Sequence, residues 1–170
     1  MPVRVPIVAK YVPLRIVVGR GPYGAGMTDA QSRTGPFWDA VEGRAPMPPV
    51  ADLLGWRLEA VAPEEGTITV QFEARHEFSN PQGNIQGGIL AAMLDDTMGP
   101  ALVATLPAGR FAPTLEMKVS YFAPAKVGPL WGHGRVVHTG RTHAFVEADL
   151  VDADDKLIAR ASATVRILKM

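Results

Sequence analysis

A single long apolar run, Ile89 to Leu106, stands among segments that alternate apolar and polar residues. A helix that oily has to be enclosed by the rest of the protein, so it constrains the fold more than any other feature. The segments around it have the period of strands. Ile68, Val70 and Phe72 alternate with Thr67, Thr69, Gln71 and Glu73 after a turn at Pro63 to Gly66, which makes a hairpin with the segment from Gly55. Beyond the run, Leu115, Met117, Val119 and Tyr121 alternate with Thr114, Glu116, Lys118 and Ser120. Three further strands follow: Leu130 to His138, Ala144 to Leu150 and Leu157 to Ile167, separated by turns at Thr139 to Thr142 and Ala153 to Asp155. The order strand, strand, helix, four strands predicts an α+β fold in which an antiparallel sheet curves around the helix. Small residues at Gly132, Gly134, Ala144, Ala148, Ala159, Ala161 and Ala163 allow a close approach. Pro100 should kink or end the helix after Gly99. A short helix is expected between Gly35 and Ala45, with Phe37, Trp38 and Val41 on its packing side.

The chain has 170 residues, which suits one domain with a substantial core. Seventeen basic residues balance seventeen acidic ones, so bulk charge points to neither nucleic acid nor a membrane surface as partner. Cysteine is absent, which removes disulfides and thiolate chemistry and makes the cytoplasm the simplest compartment. Residues 1 to 34 read as a peripheral, partly irregular N-terminal extension, with the domain itself over 35 to 170 and Met27 a plausible native start. Arg4, Lys10, Arg15 and three prolines break the extension's apolar stretch, so it does not read as a signal peptide. Gly19, Gly21 and Gly24 match a dinucleotide-binding spacing, but Pro22 and the absence of a following apolar helix remove the context such a loop needs.

Chemistry concentrates at residues 80 to 95. A helix opening at Gly87 and Gly88 presents unpaired N–H groups at its positive end, suited to a developing oxyanion. Asp95 lies eight residues on, in an apolar helix where a carboxylate needs a partner or a task. Asp96 is turned ~100° away and is the decoy.

Asn80 through Asp95, then Tyr121-Phe-Ala-Pro-Ala-Lys-Val-Gly128, Gly140-Arg141 and Asp152 to Ala159, give a resemblance to the hot-dog-fold acyl-CoA thioesterases of the phenylacetate-degradation and 4-hydroxybenzoyl-CoA type. It covers about Leu54 to Ile167. The resemblance implies a sheet wrapped around one central helix, hydrolysis of an acyl-CoA to acid and CoA, and no cofactor or metal, CoA being part of the substrate. It assigns the site to Asn80, Gln86, Gly87 and Asp95, with Thr114 as a supporting hydroxyl near the carboxylate. Gln86 stands where the family has a His, and a Gln hydrogen-bonds but does not exchange a proton near neutral pH. Strand alternation puts Thr114 on the more polar face with Glu116 and Lys118. Gly88 adjoins the substrate, and Arg141 and Lys126, both in turns, are candidates for CoA phosphates.

On one helix Gly87 and Asp95 lie roughly 12 Å apart, too far to touch one carbonyl group. A two-fold dimer would set the helix start of one subunit against the carboxylate of the other; the resemblance implies this homodimer, with pairing of dimers into tetramers open. The competing reading, motivated by Gln86, is a catalytically weak acyl-CoA-binding or sensing module. A hydratase would need a His five residues after the Asp, where Pro100 and Ala101 stand, and a serine hydrolase would need a Gly-x-Ser-x-Gly elbow. His133 and His138, five apart on one strand, should face opposite sides, which argues against a shared metal.

Overall fold

The computed structural model describes residues 34–169. The N-terminal extension, the glycine pattern from Gly19 and the start at Met27 therefore lie outside the described residues. Two short helices lead in, α1 (Pro36–Val41) and α2 (Pro49–Leu54), each with proline in its first turn, where the missing N–H costs no helical bond. α2, which no apolar period announced, ends at Gly55 in the left-handed region, φ 65°. Only glycine fits there: an added Cβ would stand 2.7 Å from Glu73 Cβ.

Strands β1 (Arg57–Ala62) and β2 (Thr67–Ala74) form the expected hairpin. A single-turn 3₁₀ helix, His76–Phe78, leads to the long helix α3 (Gly87–Val103). Then come β3 (Arg110–Phe111), β4 (Thr114–Tyr121), β5 (Gly128–Thr139), β6 (His143–Val151), β7 (Leu157–Arg166) and β8 (Leu168–Lys169). Six of these strands make one antiparallel sheet in the order β1-β2-β5-β6-β7-β4, and β3 pairs separately with β8. The α+β expectation of a sheet around one helix is met.

α3 buries Leu90, Met93, Leu94, Thr97, Met98, Ala101 and Leu102, a stripe at spacings of three and four. Against it lie Phe72, Leu130, Val146, Leu150, Ile158 and Val165. The opposite side of the helix carries Gly88, Ala91, Ala92, Asp95 and Gly99, none of them buried. Gly132 and Gly134 of β5 show why the sheet needs small residues: a Cβ on Gly132 would stand 2.2 Å from Thr97 Oγ1, and one on Gly134 3.0 Å from the Thr97 carbonyl oxygen.

Three expectations are corrected, the first in one of its two alternatives. Of a kink or an end at Gly99, the end is excluded, because α3 continues through Pro100 to Val103. Proline deprives the Asp96 carbonyl of its helical donor, and the Trp56 indole N–H, 2.9 Å away, donates to that carbonyl instead. β4 has a bulge between Thr114 and Glu116, so strict alternation fails. Thr114 pairs with buried Val165 while Glu116 pairs with Thr164, which places Thr114 on the inner face with Met117 and Val119 rather than on the polar face. A second bulge, between Val136 and His138, sets His138 opposite exposed Phe145 and brings it to the outer face that also carries His133.

Candidate active site

The loop entering α3 is closed by Asn80. Its Oδ1 accepts N–H bonds from Gln82 (3.0 Å) and Asn84 (3.2 Å), and its own N–H donates to the Asn84 carbonyl at 2.7 Å. These are turn-closing bonds, typical of an Asn that organises a loop. Ile85 N–H then donates to Ala125 O, and Gln86 N–H to Phe78 O, which fix the direction in which the helix starts. The Ile85 bond also brings the turn carrying exposed Lys126 beside the helix start.

Gln86 is the N-cap residue, exposed, and its side chain makes no capping bond. Its carbonyl accepts from Ile89 and Leu90 N–H, so those two first-turn donors are satisfied. Among the described residues, the Gly87 and Gly88 N–H groups donate to nothing. Packing within the subunit does not demand glycine at either place. A Cβ on Gly88 would meet nothing within 4 Å, and one on Gly87 would meet only the Tyr121 ring, at 3.4 Å. What glycine does provide is an open approach to two unpaired amides at a positive helix end. Tyr121 OH donates to Gly87 O at 2.8 Å and so ties the last residue of β4 to the first residue of α3.

Asp95 lies further along α3 and is exposed, not buried as the apolar run suggested. Thr114 Oγ1 donates to Asp95 Oδ1 at 2.9 Å, a contact that the bulge makes possible by turning Thr114 inward. The more enclosed carboxylate is Asp96, which is half-buried. Its Oδ2 has no partner among the described residues, and burial, helped by the charge of Asp95, raises its pKa from 3.8 to about 6.

An acid with a pKa higher in the folded than in the unfolded chain costs stability once both states are ionised. For Asp96 that cost is absent below about pH 4, grows as the pH rises towards 6 and is complete above it. Asp96→Asn should therefore raise Tm at pH 8 and leave it unchanged near pH 4. Two pKa units correspond to roughly 3 kcal/mol. The amide, itself polar, should recover about 1–2 kcal/mol of that. A thermal melt series across pH 4 to 8 checks this, and a Tm gain independent of pH would refute it.

The two ends of β4 thus hold the two parts of the candidate site: Thr114 holds Asp95, and Tyr121 holds Gly87. One subunit does not bring those parts together, because both lie on α3, separated along its axis by roughly 12 Å. Arg141, also exposed, is in the turn before β6, where Thr142 O accepts from Ile167 N–H close to Pro113 and Thr114; it lies at the Asp95 end, away from Lys126. Tyr121 was read from sequence only as a strand and motif residue, with no role at the site, and Trp56 was not singled out. Pro100 signalled that the Asp96 carbonyl would lack a donor, but nothing in the chain named Trp56 as its source. No helix among the described residues is long and apolar enough to cross a membrane.

A six-stranded antiparallel sheet wrapped on one long helix defines the hot-dog class of fold, and here the helix carries open amides at its start and a carboxylate on its uncovered side. The thioesterase superfamily model matches residues 82–159. Human acyl-coenzyme A thioesterase 13 is 31% identical over 114 residues, covering 64% of this chain and 78% of that protein. A phenylacetic acid degradation-related protein of Ralstonia eutropha JMP134 is 39% identical, with a TM-score of 0.74 over 76% of this chain and 98% of the other. A Streptococcus mutans protein, solved bound to acetyl CoA, is 25% identical with a TM-score of 0.61, covering 67% and 89%. The chain belongs to the thioesterase superfamily and is a hot-dog thioesterase.

Proposed function

We propose that the protein hydrolyses an acyl-CoA thioester at two equivalent sites formed across a homodimer. The observation that carries this is the anchoring of the two half-sites to opposite ends of β4, an edge strand with no partner on its outer side among the described residues. Leu115, Tyr121 and Phe122 along it are each more than half exposed, which in an isolated subunit is an aggregation liability. Antiparallel pairing of β4 with its copy, centred between Met117 and Lys118, would set Thr114 opposite the partner's Tyr121. Asp95 would then face the partner's Gly87. The same pairing would cover the small-residue side of α3 and bring Arg141 to the same end as the partner's Lys126, where two cations suit the CoA phosphates.

In this site the thioester oxygen is held by the Gly87 amide, with Gly88 lining the approach and Asn80 Nδ2 or the Gln86 side chain assisting. Water adds to the carbonyl carbon, the C–S bond breaks, and CoA leaves as the thiolate. Asp95, oriented by Thr114, takes the proton from the attacking water or attacks the carbonyl itself. Gln86, in this arrangement, supplies a hydrogen bond and no proton. The acyl-CoA relatives support the choice of substrate class.

The test is thiol release from a panel of acyl-CoAs by the wild type and by Gly87→Pro. Proline fits the first helical position and Gln86 already has an extended backbone, φ −61° and ψ 135°, so the change deletes one N–H with little cost to the helix. Loss of one oxyanion donor lowers kcat by about 10²–10³-fold. Binding without turnover on every thioester would overturn hydrolysis in favour of an acyl-CoA-binding module. A fully active Gly87→Pro would overturn the oxyanion assignment.

A further inference from the structure

We infer that Trp56 is a positioning residue for the hydrolysis, fixing the helical turn that presents Asp95; the inference rests on the reading of Asp95 given above. Pro100 leaves the Asp96 carbonyl without a donor in the middle of α3, one residue from Asp95. A helix interrupted in this way ordinarily bends at the free carbonyl, and the direction of the side chains on that turn bends with it. Here the carbonyl is held by Trp56 Nε1 at 2.9 Å.

Trp56 is itself fixed. Its backbone N–H donates to Ala51 O at 2.9 Å, and the preceding Gly55 lies so close to Glu73 of β2 that no side chain fits between them. The backbone that carries the indole is therefore held by α2 on one side and by β2 on the other. Trp56 precedes β1 and Thr114 begins β4, and these are the two edges of the six-stranded sheet. The turn carrying Asp95 is thus gripped from both edges: by its backbone at Trp56 and by its side chain at Thr114. Pro100 and Trp56 act as one device. The proline frees the carbonyl, and the indole uses it to set the helix direction from outside the helix.

Because an error of about 1 Å in a reacting group can cost up to 10²-fold in rate, releasing one of the two grips should appear in kcat. Trp56→Phe keeps an aromatic ring and removes the donor. It should lower kcat about tenfold per folded enzyme, with KM within about twofold, since the acyl-CoA contacts are unchanged. Pro100→Ala restores a backbone N–H four residues after Asp96, so the Trp56→Phe/Pro100→Ala enzyme should return to the kcat of Pro100→Ala alone. A merely structural role would lower Tm and the folded fraction while leaving kcat per folded enzyme unchanged, and that result overturns the inference. So does a double variant, folded by circular dichroism, that stays as slow as Trp56→Phe. Asp95→Asn is run in parallel: if it keeps full activity, the Asp95 reading itself has failed, an outcome separate from failure of the Trp56 variants to behave as stated.

Discussion

Asp95→Asn should lower kcat/KM on the best acyl-CoA by about 10²–10⁴-fold, the range over which a positioned proton-transfer group contributes. The variant is well suited to isolating chemistry from folding. Asn has the same shape and keeps an oxygen for Thr114 Oγ1, whose bond to Asp95 Oδ1 is 2.9 Å. The position is exposed in the subunit, so no buried charge is relieved or stranded, and Tm should stay within a few degrees. Asp96→Asn is the paired control: it should alter stability with pH while leaving the rate largely intact. If the two variants exchange behaviours, the carboxylate assignment is reversed. Single turnover in ¹⁸O water then separates the two routes. A general base directs the label into the acid product, whereas an acyl-aspartyl anhydride opened at the aspartyl carbon leaves the label in Asp95.

The second large effect is on stability. Gly132→Ala should destabilise the fold by 3 kcal/mol or somewhat more, at the upper end of overpacking costs. The added Cβ would stand 2.2 Å from Thr97 Oγ1 and 3.1 Å from Phe72 Cε2, and both neighbours are fully buried. Neither gives way easily. Thr97 Oγ1 is bonded to Met93 O at 2.7 Å, and Phe72 belongs to β2, paired to β5 along its whole length. Tm should fall by roughly 6–12 °C for a domain of this size. Thr97→Ala removes both atoms of Thr97 that collide, so Gly132→Ala should cost markedly less in that background. Thermal melts of the four proteins of this cycle measure it. Equal costs in both backgrounds would mean that the sheet does not approach the helix at Gly132 as described.

Much of the candidate site was legible because its elements are local. Gly87, Gly88 and Asp95 belong to one continuous helix, and their spacing alone says that one subunit does not bring both ends to one carbonyl group. Thr114 was named from resemblance, yet alternation put it on the wrong face, because a bulge inserts a residue that a period-two pattern cannot register. Asp95 and Asp96 show the same division. Both are aspartates in one apolar run, and the helical period shows that they diverge, but only the packing around them decides that Asp96 is half-buried with a raised pKa while Asp95 stays open beside Thr114.

What the chain determined by itself is whatever follows from contacts within a few residues: the helix and its start, the strand periods, the turns, and glycines where a close approach is required. Tertiary structure decided which edge of the sheet meets which end of the helix, and with it the two anchors on β4 and the Trp56 bond to the carbonyl that Pro100 leaves free. Those contacts join residues 19 to 40 positions apart in the chain. No local propensity encodes them; they arise when burial of the α3 stripe closes the sheet around the helix and sets its rotation.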